Sequence, residues 1–87
     1  MKKRRALAIL EKFKLKIRPG KENFATFYYN DKFILTTTVP KGQGDFYSVD
    51  KFRNQLRLDE NQLRDAERCP FGYNEFVANL IKKGYIN

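Results

Sequence analysis

Residues 20–44, GKENFATFYYNDKFILTTTVPKGQG, decide the fold. NFATFYY (23–29) and KFILTTTV (32–39) are aromatic and β-branched runs that favour extended backbone, and Asn30-Asp31 between them is a tight-turn pair. They read as a β-hairpin. In its second strand Phe33, Leu35, Thr37 and Val39 share one side, and Ile34, Thr36 and Thr38 the other. Both sides are partly apolar, so alternation leaves open which one meets the core. Pro40 ends the strand. KGQGD follows as a flexible loop whose glycines let backbone N–H groups approach a ligand.

Upstream of the hairpin, KLKIR (14–18) alternates Lys14, Lys16 and Arg18 with Leu15 and Ile17 until Pro19-Gly20 stops it, which predicts a short strand with three cations on one side. Before it, Ala6, Ile9, Leu10 and Phe13 recur at helical spacing and predict an amphipathic helix over 2–13. Arg4, Arg5, Ala8 and Lys12 lie off that stripe.

Downstream, the pattern is helical. Ser48 is placed to cap a helix from about Val49 to Arg57, with Val49, Phe52 and Leu56 inward. Asp59 and Gln62 form an Asp-x-x-Gln variant of the capping box and open a second helix through about Arg68, which Pro70 and Gly72 end. Asn74 starts a third, with Phe76, Val77, Leu80 and Ile81 as its apolar stripe, Lys82 and Lys83 at its negative end and Gly84 as the stop. Leu56, Leu58 and Leu63 also sit where the paired helices of a helix-turn-helix would meet.

The order predicts an α+β domain: an N-terminal helix, a three-stranded antiparallel sheet, then two or three C-terminal helices packed on one face. At 87 residues the chain suits one domain, with residues 1–47 supplying helix and sheet and 48–87 the helical part. Hydrophobic content of 41%, with 15% aromatics, is enough apolar surface to offset the entropy of ordering.

Charge is distributed unevenly. Nine of the 18 Lys and Arg residues, namely Lys2, Lys3, Arg4, Arg5, Lys12, Lys14, Lys16, Arg18 and Lys21, fall in the first 21 positions against one acid, Glu11. The remainder is neutral, so the net +8 belongs to the N-terminal quarter. A polyanion is the natural partner for such a cluster. The neutral tail makes DNA a less favoured partner than RNA, and an acidic protein surface would satisfy the same charges.

Enzyme chemistry finds little support. The chain has no histidine and one cysteine, so no spacing suggests a metal site, no nucleophile has an evident base, and no cofactor is implied. Cys69 reads as a small buried apolar residue, and a lone cysteine fits a reducing, cytoplasmic setting. No segment approaches the ~18 apolar residues of a membrane span. MKKRRALAILEKF imitates a signal peptide for ten residues, but ALAIL is only five long and Glu11-Lys12 follow it, so it is expected to stay in the mature domain.

The order of helix, strand, hairpin ending in Thr37-Thr38-Val39-Pro40, then helix is carried by LKIRPGKENFATFYYNDKFILTTTVPKG and its flanking helices, over about residues 2–57. It resembles the small HicA-type RNase toxins, which have a double-stranded-RNA-binding-domain-like fold. The tail resembles, more loosely, the helical half of small bacterial proteins near toxin-antitoxin modules. HicA-type enzymes carry a catalytic histidine at the start of the first hairpin strand, a position that falls on or near Thr26, and often a second after the proline, where this chain has Lys41-Gly42. The resemblance therefore implies a fold and an RNA partner, without the family's histidine chemistry.

The resulting expectation is a basic RNA-binding domain that does not cleave, with a link to a toxin-antitoxin or mobile-element system. Arg4, Arg5, Lys12, Lys14, Lys16, Arg18, Lys21 and Lys41 would contact phosphates, and Tyr28 or Phe24 would stack on a base. Two other readings stay open. One is a histidine-free ribonuclease toxin, in which Lys or Arg stabilises the phosphorane and a Tyr, Glu or Lys moves the proton. The other is a protein-binding module, a toxin partner or an inhibitor of a host or phage complex, with Phe71, Tyr73, Phe76 and Tyr85 as its contact.

Overall fold

The computed structural model describes every residue except Gln43, 46–48, Cys69 and Asn87. The expected Ser48 cap and the burial of Cys69 lie outside the described residues. The elements run α1 (Lys3–Lys12), β1 (Lys16–Arg18), β2 (Glu22–Tyr29), β3 (Lys32–Pro40), α2 (Val49–Gln55), α3 (Glu60–Glu67) and α4 (Tyr73–Lys82). The strands form one antiparallel sheet in the order β1-β2-β3. This is the expected α+β arrangement of helix, three-stranded sheet and three C-terminal helices.

The α1 stripe is buried as its spacing predicts: Ala6, Ile9, Leu10 and Phe13 are all inside. The helix then ends differently from the alternation. Lys14 is not a strand residue but turns left-handed at φ 61°. Its N–H bonds the Glu11 carbonyl at 2.9 Å, and the Leu15 N–H bonds that of Leu10 at 2.9 Å. This pair of bonds is the Schellman ending, which satisfies carbonyls the helix would leave orphaned. The same pattern closes α2 at Arg57 (φ 62°) and α4 at Gly84 (φ 87°).

The hairpin turn is as read. Asn30 and Asp31 both have positive φ, 51° and 65°, the combination that matches strand twist in a two-residue turn. Beyond it the register slips by one. Phe27 pairs with Leu35 but Tyr28 with Phe33, so Ile34 bulges out of the ladder. On the core side Ala25, Phe27, Leu35, Thr37 and Val39 are buried. The bulge turns Phe33 away from Leu35 and out to solvent, which overturns the simple alternation of β3.

The helices cover the core side. Phe13 of the α1 end stacks flat on Phe76 of α4 at 4.3 Å between centroids, and Phe27 of β2 meets the same ring edge-on at 5.0 Å. Thr37 donates from Oγ1 to Gln55 Oε1 at 2.7 Å and joins β3 to α2. The Asp59–Gln62 capping box of α3 is present in both directions. Gln62 Nε2 also donates to Asn79 Oδ1 at 2.8 Å, and Asn79 Nδ2 donates to the Arg57 carbonyl at 2.9 Å.

These bonds draw Asn79 inside and rotate α4, so Ile81, expected in the apolar stripe, is half exposed. The cap also moves: Gly72 rather than Asn74 precedes the helix, and its N–H donates to Glu75 Oε1 at 2.9 Å.

Phe27, inside the core, and Phe33, on the outer side, should respond oppositely to truncation. Phe27→Ala is expected to cost about 3–5 kcal/mol, whereas Phe33→Ser should stay within about 0.5 kcal/mol of the parent. Urea unfolding followed by circular dichroism measures both. A large loss for Phe33→Ser would show that the bulge is misplaced.

Candidate nucleic-acid interface

With helices on one side, the other side of the sheet is left to its own side chains. β1 contributes Lys16 and Arg18, β2 contributes Phe24, Thr26 and Tyr28, and β3 contributes Phe33, Thr36 and Thr38. Phe24, Tyr28 and Phe33 remain 44%, 45% and 60% exposed. A core large enough to bury three more rings would have done so, because each fully buried ring contributes about 1.5–3 kcal/mol. Here they stand in water instead, among cations.

The register fixes their neighbours. Lys16 lies opposite Thr26 and Arg18 opposite Phe24. The Lys16 ammonium sits over the Tyr28 ring, 5.3 Å from its centroid, and Tyr28 meets Phe33 edge-on at 6.3 Å. Neither Lys16 nor Arg18 is in an ion pair among the described residues. Glu22 is the only acid of the strand residues on this side, and it stands at the end of β2.

Phe24 is held by a glycine. A Cβ added to Gly20 would lie 3.0 Å from Phe24 Cε2, so the ring rests against the β1–β2 turn where no side chain intervenes. Sequence patterning saw Gly20 only as a strand stop. Alternation also groups Phe33 with Leu35, Thr37 and Val39, and the unpaired Ile34 is what separates it from that row.

The sequence-derived cations divide between surfaces. Lys16 and Arg18 share the open sheet side with Tyr28 and Phe24, and Lys21 is exposed in the adjoining turn. Lys14 leaves that side with its left-handed turn, and its ammonium lies 4.7 Å from the centroid of Tyr73. Lys12 is half buried and donates to the Ala66 carbonyl at 3.1 Å. It binds α1 to the negative end of α3, a cation placed where a helix terminus favours it.

Arg4 and Arg5 are exposed on α1, beyond the core from the open sheet. Lys41 joins them from the far end of β3. Its carbonyl accepts from Lys3 Nζ at 3.2 Å, the Lys3 N–H donates to the Gly44 carbonyl at 3.1 Å, and Lys2 pairs with Asp45 at 3.3 Å. The glycine-punctuated loop is thus fastened to the start of α1, and Arg4 and Leu7 share a shallow hollow with Gly42 and Gly44.

Other candidates are placed elsewhere. Thr26, on or near which the resemblance to HicA-type enzymes would put their histidine, is on the open sheet side between Lys16 and Thr36. Of the residues suggested for a protein contact, Phe76 is fully buried, Phe71 and Tyr73 pack against the core, and Tyr85 is exposed with Arg57 over its ring at 4.7 Å. Among the described residues no three His, Cys, Asp or Glu side chains are gathered as for a metal ion, and no helix is long and apolar enough to cross a membrane. The chain matches no family model, no curated protein and no solved structure.

The contact at Gly20 is testable by itself. In Gly20→Ala the methyl group meets the Phe24 ring, so the ring must swing aside, and its aromatic proton resonances should shift while the Phe27 and Phe76 resonances stay in place. Two-dimensional aromatic NMR spectra of the two proteins decide it. Unmoved Phe24 signals would show that the ring does not rest on Gly20.

Proposed function

We propose that this chain is a small RNA-binding protein that holds RNA on the open side of its sheet without cutting it. One observation carries the reading: three half-exposed aromatic rings and two cations with no ion pair among the described residues occupy the same side of the sheet, opposite the helices. Cations supply the sequence-independent, salt-sensitive attraction to phosphate, and rings supply surfaces on which bases stack. In this reading Lys16, Arg18 and Lys21 contact phosphates while Phe24, Tyr28 and Phe33 stack.

Arg4, Arg5 and Lys41 form a second basic surface around the α1 start. It adds attraction for longer RNA that reaches around the domain. The element order shared with HicA-type proteins also favours an RNA partner, and the chain's lack of histidine favours binding over cleavage.

Labelled RNA incubated with the protein and run on native and denaturing gels across a salt series tests this. The expected result is a shifted but intact band whose affinity falls as salt rises. The double variant Lys16→Gln/Arg18→Gln should weaken binding and reduce the slope of log K against log salt by roughly 1.4–1.8. Absence of a shift at low salt would remove the RNA reading. Shortened RNA with chelator present would replace binding by a histidine-free ribonuclease.

A further inference from the structure

Resting on that RNA reading, we infer that the occupant of the sheet is an unpaired strand and not a duplex, lying with its phosphates along β1 and its bases over β2 and β3. The sheet offers two ring platforms. Phe24, seated on Gly20, is one, and the Tyr28–Phe33 pair is the other. They stand four residues apart along β2, roughly 13 Å at ~3.3 Å per residue. Each has a β1 cation beside it: Arg18 is opposite Phe24, and Lys16 lies over Tyr28.

Charge carried by the strands themselves is one-sided. β1 brings cations, whereas β3 brings Phe33, Thr36 and Thr38, which carry none; the cations beyond that margin, Lys51 and Arg57, line a hollow beside Phe33 and Thr36, and Arg57 lies over the Tyr85 ring. A single strand has the same asymmetry, with anions along one margin and π-faces along the other. It fits with its phosphate margin on β1. The reverse placement would put phosphates over phenylalanine and bases over ammonium groups.

A duplex cannot use the platforms. Its bases are already stacked and paired, and its surface presents phosphates and ribose hydroxyls, so it would meet the cations while leaving three rings facing charge or water. An unpaired strand crosses ~13 Å in about four nucleotides if it stays stacked at ~3.4 Å per step, or in about two if it is splayed. A site of roughly three to five nucleotides follows.

Fluorescence anisotropy with 5′-labelled oligouridines of four and eight nucleotides and a labelled blunt RNA duplex of twelve base pairs tests the inference on the full chain. The single strands should bind more tightly than the duplex. Phe24→Leu and Tyr28→Leu, which keep apolar bulk but lose the π-face, should each weaken single-strand binding by about tenfold. The salt slope should not change in these variants. In the parent protein, ring protons of Phe24, Tyr28 and Phe33 should move upfield when the eight-nucleotide strand is added.

Duplex binding as tight as single-strand binding, or leucine variants that bind like the parent, would overturn the stacking platform. Stationary ring protons on saturation would do the same. In each of those cases salt-dependent RNA binding would still stand, whereas no binding to any of the three probes would remove both readings at once.

Discussion

The flat stack of Phe13 on Phe76 is the contact on which the rest of the molecule depends. Phe13 closes α1, Phe76 lies in α4, and Phe27 from the middle strand meets Phe76 edge-on. Three segments distant in the chain are therefore joined through one ring that is fully buried. Offset and edge-on aromatic pairs contribute about 0.5–1.5 kcal/mol beyond their buried area. Their geometric effect matters more here. With α1 and α4 fixed to the same side of the sheet, the core is complete, and the opposite side has nothing left to pack against it.

That one-sidedness explains why a domain with five tyrosines and eight phenylalanines nonetheless leaves several rings in water. A three-stranded sheet with helices on one side buries alternate residues only, and the intervening residues must live in solvent. Most positions on the outer side accept this with threonine or a cation. Phe24, Tyr28 and Phe33 do not, and the bulge at Ile34 goes further by bringing Phe33 out beside Tyr28. Bulges re-aim side chains at a cost in ladder hydrogen bonding, and this one enlarges the aromatic surface.

Much of this was legible from the chain. Runs of β-branched and aromatic residues around Asn30-Asp31 specify the hairpin, since both turn residues tolerate the left-handed backbone it needs. The α1 stripe and the Asp59–Gln62 box likewise declare themselves through spacing. What could not be read depends on partners far away in sequence. Lys14 continues the alternation on paper, yet two backbone bonds reaching back into α1 make it a helix terminator. Lys12 looks like another surface cation, but the Ala66 carbonyl that holds it is 54 positions away. Asn79 takes the inner side of α4 and leaves Ile81 outside because its amide bonds both Gln62 Nε2 and the Arg57 carbonyl, so its burial avoids the cost of about 1–3 kcal/mol that an unpaired buried polar group carries.

Read linearly, the first 21 residues form one cation-rich block, but the fold divides it between two surfaces on opposite sides of a helix-on-sheet domain whose shortest extent is 18 Å. That exceeds the ~8–10 Å screening length at physiological salt. On the proposed RNA reading, each surface would therefore attract phosphate nearly independently of the other. Only the sheet side couples that attraction to rings, and its strand hydrogen bonds hold cation and ring at fixed spacing before any ligand arrives. Such preorganisation reduces the ordering cost of binding. The α1 side, where Arg4 and Arg5 stand beside a loop that carries no exposed ring among the described residues, contributes attraction without a stacking surface. A ligand short enough to touch one surface only would gain its selectivity from the sheet.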